Sequence, residues 1–132
     1  MGKRNVVNLD TAPVVFTILG ISSHENDYRL SWSINEQLGL AFTKNENLVA
    51  GDGREFTCFV HEDEYQSLLL ISNRCENGFL LEKFKNIDFI LKFNVELNET
   101  EVSEWLGNLK KVSLISAIFC IPVNKKMLRV LK

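Results

Sequence analysis

The chain has 132 residues, 45% of them hydrophobic and 24% charged, with a formal net charge of −2 and a sequence pI of about 5.7. That length and balance indicate a single folded domain over residues 1–132, with 1–12 and 124–132 peripheral, and exclude a disordered chain. The slight acidity argues against a dedicated nucleic-acid binder.

After Pro13, the run from Val14 to Ile21 is β-branched and aromatic and reads as a buried strand. Ser22 and Glu25 have the spacing of a capping box, which predicts a helix from that point to about Leu38, stopped by Gly39. Leu30, Ile34 and Leu38 recur at four-residue spacing, and Tyr28 and Trp32 are taken to widen the apolar stripe. Residues 40–43 read as a short strand and 44–53 as a loop punctuated by Gly51-Asp-Gly53. The runs 55–60 and 65–71 predict an antiparallel hairpin around the polar turn His61-Glu-Asp-Glu64.

Residues 72–78 read as a turn-rich break, and 79–86 leave a helical turn and an extended loop both open. The segment 87–93 alternates as a strand, with Ile87, Phe89, Leu91 and Phe93 on one side and Asp88 and Lys92 on the other. Asn98 and Glu101 form a capping box for a second helix, whose stripe is Val102, Trp105, Leu106 and Leu109. Residues 112–121 predict the last strand, ended by Pro122.

This order implies an α+β domain with a mainly antiparallel sheet of about five or six strands and two helices on one face. A ferredoxin-like, split βαβ variant is the arrangement expected.

Three stretches resemble the IPExxxVDY family, small uncharacterised proteins of Bacteroidetes-type bacteria. They are Gly20-Ile-Ser-Ser-His-Glu-Asn-Asp-Tyr-Arg-Leu-Ser-Trp-Ser-Ile-Asn35, Glu76-Asn-Gly-Phe-Leu80 with the segment after it, and the closing helix and strand. The family-name motif is altered: its Pro and Glu are Glu82 and Lys83 here, and its Val-Asp-Tyr is Ile87-Asp-Phe89. The resemblance implies no activity, substrate or cofactor.

The three cysteines, Cys58, Cys75 and Cys120, lack a Cys-x-x-Cys or zinc-like spacing and read as reduced thiols of a cytoplasmic protein. Cys58 and Cys120 are expected inside apolar strands. Neither a secretory leader nor a run of roughly 18 apolar residues is present, so no membrane association is expected. No nucleophile–base pair, metal cluster or phosphate loop stands at diagnostic spacing, so no catalytic residue, metal or cofactor is assigned and a non-enzymatic protein is expected.

His24 and Asp27, at three-residue spacing, are candidates for one binding face of the first helix, although capping explains them as readily. Asp88 either points to solvent or pairs with Lys92, with lining a cleft as the sharper alternative. Trp32 is a candidate contact residue, while Lys125, Lys126 and Arg129 make the tail basic and amphipathic. The function expected is protein binding or self-association as an adaptor or homodimer. The alternatives are a small-ligand regulatory module, or an RNA-associated factor using the basic tail.

Overall fold

The computed structural model describes residues 16–124 together with Met127 and Leu131. Six strands form one antiparallel sheet in the order β10-β1-β9-β6-β5-β2. They are β1 (Thr17–Ser22), β2 (Thr43–Lys44), β5 (Cys58–Glu62), β6 (Ser67–Ser72), β9 (Phe89–Phe93) and β10 (Ala117–Ile121). Two small hairpins, β3 (Leu48–Val49) with β4 (Glu55–Phe56) and β7 (Arg74–Cys75) with β8 (Gly78–Phe79), lie outside it. Helix α1 (Asp27–Leu38) follows β1 and helix α2 (Glu99–Leu109) joins β9 to β10. The parallel strands β9 and β10 stand on either side of β1, which runs against both.

Both helices cover the same face of the sheet. Leu30 and Ile34 of α1 and Leu109 of α2 share one core with Leu19, Ile21, Phe59, Leu70, Leu91 and Phe93. Trp105 meets the Phe93 ring edge-on, with centroids 4.9 Å apart. The second face carries its own core, which the alternation of the strands leaves there: Ile18, Cys58, Ile71, Ile90 and Ile121. It is covered by Phe56 of β4, by Leu80, Leu81 and Ile87 of the segment after β8, and by Met127 and Leu131. Gly20 lies under this cover. A Cβ there would stand 2.5 Å from Ile87 Cδ1 and 2.8 Å from Ile121 Cδ1, so a side chain at this position would have to displace the ends of both isoleucines.

Residues 79–86 are therefore neither a helix nor a free loop. A run of turns is pinned by the fully buried Asn73. The Asn73 amide donates to the carbonyls of Phe84 (3.0 Å) and Ile87 (2.8 Å), and its Oδ1 accepts from Leu81 N–H (2.7 Å). Its backbone accepts from Leu80 N–H and donates to Asp88 O, each at 2.9 Å. Five bonds from one residue thus hold the lid of the second core in register.

Several elements depart from the sequence reading. Helix α1 is capped by Asn26, whose side chain accepts from Arg29 N–H (2.9 Å), and not by Ser22, which ends β1. Ser22 Oγ is tied to Asn86 O and the buried Ser23 Oγ to Leu114 O, and the helix starts one turn later. Gly39 does close α1, at φ 68°, and Asn98 with Glu101 forms the expected capping box of α2. The strand expected over 112–121 is shortened to Ala117–Ile121, because Val112 and Ile115 continue the end of α2 as turns (N–H to Leu109 and Val112 carbonyls, 3.0 Å each).

The loop over 44–53 and the break over 72–78 each contain a hairpin strand, and the short strand expected at 40–43 is Thr43–Lys44. Ile87 precedes β9 and joins the second core, opposite Phe89, Leu91 and Phe93. Cys58 is buried as expected, whereas Cys120 is exposed on the outermost strand.

Replacing Asn73 with Ala leaves two carbonyls and one N–H of the buried lid without partners. The expected cost is about 3 kcal/mol, read as a lowered urea midpoint with the spectrum of the helices retained.

Candidate functional site

Polar side chains converge at the end of β1. Ser22 Oγ donates to Asn86 O (2.6 Å), and Ser23 Oγ donates to Leu114 O (2.7 Å) and accepts from Glu25 N–H (3.2 Å). Ser22 O accepts from both the N–H (2.8 Å) and the Oγ (2.9 Å) of Ser116. Asp88 reaches the same corner. Its Oδ2 accepts from Ser23 N–H (2.8 Å) and its Oδ1 accepts from Arg74 Nε (2.6 Å), while its own N–H donates to Ile21 O (2.8 Å). Asp88 therefore pairs with Arg74 of the small hairpin and not with Lys92. The Lys92 ammonium lies 5.0 Å from the Phe16 ring centroid, and partial burial holds its pKa below the ordinary lysine value.

A hollow of about 270 Å³ opens beside this corner, walled by His24, Glu25, Ser72, Arg74 and Asp88. The cleft alternative for Asp88 is thus realised as geometry. The carboxylate facing it is already held by an N–H and a guanidinium, which makes it a strut between β1, β7 and β9. His24 is exposed and lies before the cap of α1, so His24 and Asp27 do not share a helix face. Asp27 Oδ1 accepts from Tyr28 N–H (2.8 Å), and Asp27 is not part of the hollow.

His61 is also structural. It lies within β5, buried, and not in the turn. Ala41 N–H donates to Nδ1 (2.9 Å), so the ring hydrogen is on Nε2 and donates to Asp63 Oδ2 (2.8 Å). The turn itself is an Asx-turn, with Asp63 Oδ1 accepting from the N–H groups of Tyr65 (2.7 Å) and Gln66 (2.9 Å). Among the described residues no group of three His, Cys, Asp or Glu side chains is placed to hold a metal ion, and no buried side-chain N or O lacks a partner.

Among the exposed large apolar side chains, which include Tyr65 and Val49, two share the outer face of α1. Tyr28 is 63% exposed and Trp32 65% exposed, which overturns their expected place in the core. Each stands two residues from Leu30, and two residues turn a helix by roughly 200°, onto the opposite side. Tyr28 is fixed edge-on against Phe59 (centroids 5.3 Å, planes at 89°), and the Lys44 ammonium lies 5.9 Å from the Phe59 ring centroid. Arg29, beside them, is held by Glu25 at 2.8 Å. The buried apolar stripe thus includes Leu30 and Ile34 on the sheet-facing side but neither Tyr28 nor Trp32, and Trp32, the candidate contact residue, is exposed. Arg74 escapes notice because its partner Asp88 becomes adjacent only when β7 packs beside β9. Lys125, Lys126 and Arg129 lie outside the described residues.

Two outcomes follow from the polar ties. Asp88→Ala removes two charge-assisted bonds and is expected to cost about 2 kcal/mol in urea unfolding, with Arg74→Ala costing less because Arg74 is largely exposed. The bond from His61, then those from the turn N–H groups, hold the Asp63 carboxyl below the ordinary value of 3.8. Asp63 therefore stabilises the native state fully above the unfolded value and loses that contribution as pH falls through the lower native one. The stability lost by Asp63→Asn should accordingly be largest near neutrality and shrink in acid, as measured by urea unfolding at successive pH values.

No protein-family model and no curated protein matches the chain. None of the described helices is long and apolar enough to cross a membrane.

Proposed function

We propose that this is a non-enzymatic, protein-binding domain of the bacterial cytoplasm that engages its partner through the outer face of α1. The observation that carries this reading is the pair of exposed aromatics one helical turn apart, Tyr28 and Trp32, with Arg29 between them. These three residue types dominate the energetic centres of protein interfaces, because a large rigid side chain gains much contact area for little lost rotamer freedom. Tyr28 is already held against Phe59, so less freedom remains to be lost on binding.

The three free thiols support a reducing compartment. Membership of the IPExxxVDY family is part of the same proposal. In this chain the motif's acid corresponds to Asp88, whose bonds to Ser23 and Arg74 support a structural role for that segment. The polar hollow beside Asp88 offers a small ligand no unsatisfied buried group, which ranks ligand binding below protein binding. Association with RNA rests on Lys125, Lys126 and Arg129, outside the described residues.

Capture from an extract of the source cells, compared between the native chain and Trp32→Ala with Tyr28→Ala, tests the reading. At least one captured protein should fall by about tenfold or more in the double variant, since loss of an interface centre costs about 2 kcal/mol or more. The melting temperature should hardly move, because both side chains are largely exposed. Identical capture by the two chains would overturn the proposal.

A further inference from the structure

The two edges of the sheet are built differently. At one end β2 has only two residues and ends in Lys44, the short charged form that discourages strand addition. At the other end β10 runs Ala117-Ile-Phe-Cys-Ile121, five residues without a charge. Among the described residues no strand pairs with its outer side. Phe119 is 39% exposed and Cys120 is exposed beside it. A chargeless edge of this length, with no described strand beside it, is a template for another strand.

We infer that β10 pairs antiparallel with β10 of a second copy, joining the two sheets into one continuous sheet about a two-fold axis at Phe119. The strand is suited to its own reverse. With Phe119 opposite Phe119 of the other copy, Ile118 meets Cys120 and Ala117 meets Ile121, so every cross-strand pair is apolar or a thiol against an alkyl group. The β1 register places Ile118 and Cys120 on the helix-covered face and Phe119 on the other, so the pairing extends both faces of the sheet.

The helix beside this edge supplies the second argument. Helix α2 packs against β10, whereas α1 lies toward β5, where Tyr28 touches Phe59. The flank of α2 toward β6 is occupied by Glu101, Glu104, Trp105 and Asn108, which form a groove with Gln66. The opposite flank carries Glu99, Ser103 and Lys110, all exposed and aligned by helical spacing. A two-fold axis runs the two α2 helices antiparallel, which brings Glu99 of each copy toward Lys110 of the other. The acidic start of α2 and its basic end thus form a self-complementary charge pattern, which favours a second copy over an unrelated strand. This surface is separate from α1, so the pairing stands or falls apart from the proposed partner.

Sedimentation equilibrium of the full chain in reductant tests it. At roughly 100 µM the native chain should sediment as a dimer, since a micromolar dimer is then almost fully populated. Phe119→Lys sets two like charges on the axis, and Cys120→Lys charges the edge at an already exposed position. Each should yield monomers whose circular dichroism spectrum is unchanged. Glu99→Lys should weaken the dimer, and Glu99→Lys combined with Lys110→Glu should restore it. A native chain that is monomeric at that concentration, or a dimer unaffected by both edge lysines, would overturn the inference. Failure of the charge exchange to restore the dimer would overturn the antiparallel placing of α2.

Discussion

The buried amide of Asn73 is the contact on which the second face of this sheet depends. The strands carry apolar side chains on both faces, so both must be covered, and the two helices supply only one cover. The other is mostly irregular chain, whose backbone groups lose water when it is laid on an apolar surface. Asn73 provides two donors and an acceptor within the lid, so Leu80, Leu81 and Ile87 can be buried at little polar cost. Gly20 then allows the lid to approach the sheet closely, with Ile87 over the space a side chain would fill.

The corner at Ser22 and Ser23 continues the same logic at the end of the sheet. Asn86 and Asp88, and Leu114 and Ser116, are brought to it from two segments distant in sequence, and Arg74 closes it from the small hairpin. Serine, histidine and aspartate crowd together here, yet the bonding is that of a joint. Each Ser hydroxyl is committed to a backbone carbonyl, and the carboxylate to an N–H and a guanidinium. The exposed apolar side chains lie elsewhere, among them Tyr28 and Trp32 on the outer face of α1 and Phe119 on β10, which no other described strand pairs on its outer side.

Local signals were read well where the chain alone sets them. The cap and third-position pair of Asn98 and Glu101, the left-handed stop at Gly39 and the β5–β6 hairpin all lie within a few residues of their partners. The structure departs from the local signal where a distant contact overrides it. Ser22 and Glu25 have capping-box spacing, but Ser22 Oγ is drawn to Asn86 and the cap passes to Asn26. The apolar run from Val112 looks like strand throughout, but Val112 is buried in the core and residues 112–115 continue the end of α2 as turns. The exposure of Trp32 depends on which side of α1 meets the sheet, which its residue type does not reveal.

The sequence by itself determined the α+β class, the two helices on one face, the antiparallel sheet and the principal strands, because periodicity, caps and turn residues act over one or two turns of chain. Tertiary structure alone decided the strand order, the second core with its lid, the pairing of Asp88 with Arg74 and the outward face of Tyr28 and Trp32. Each of those depends on contacts between segments far apart in sequence. Their free energy exceeds the small local preferences, and no short stretch of residues encodes it.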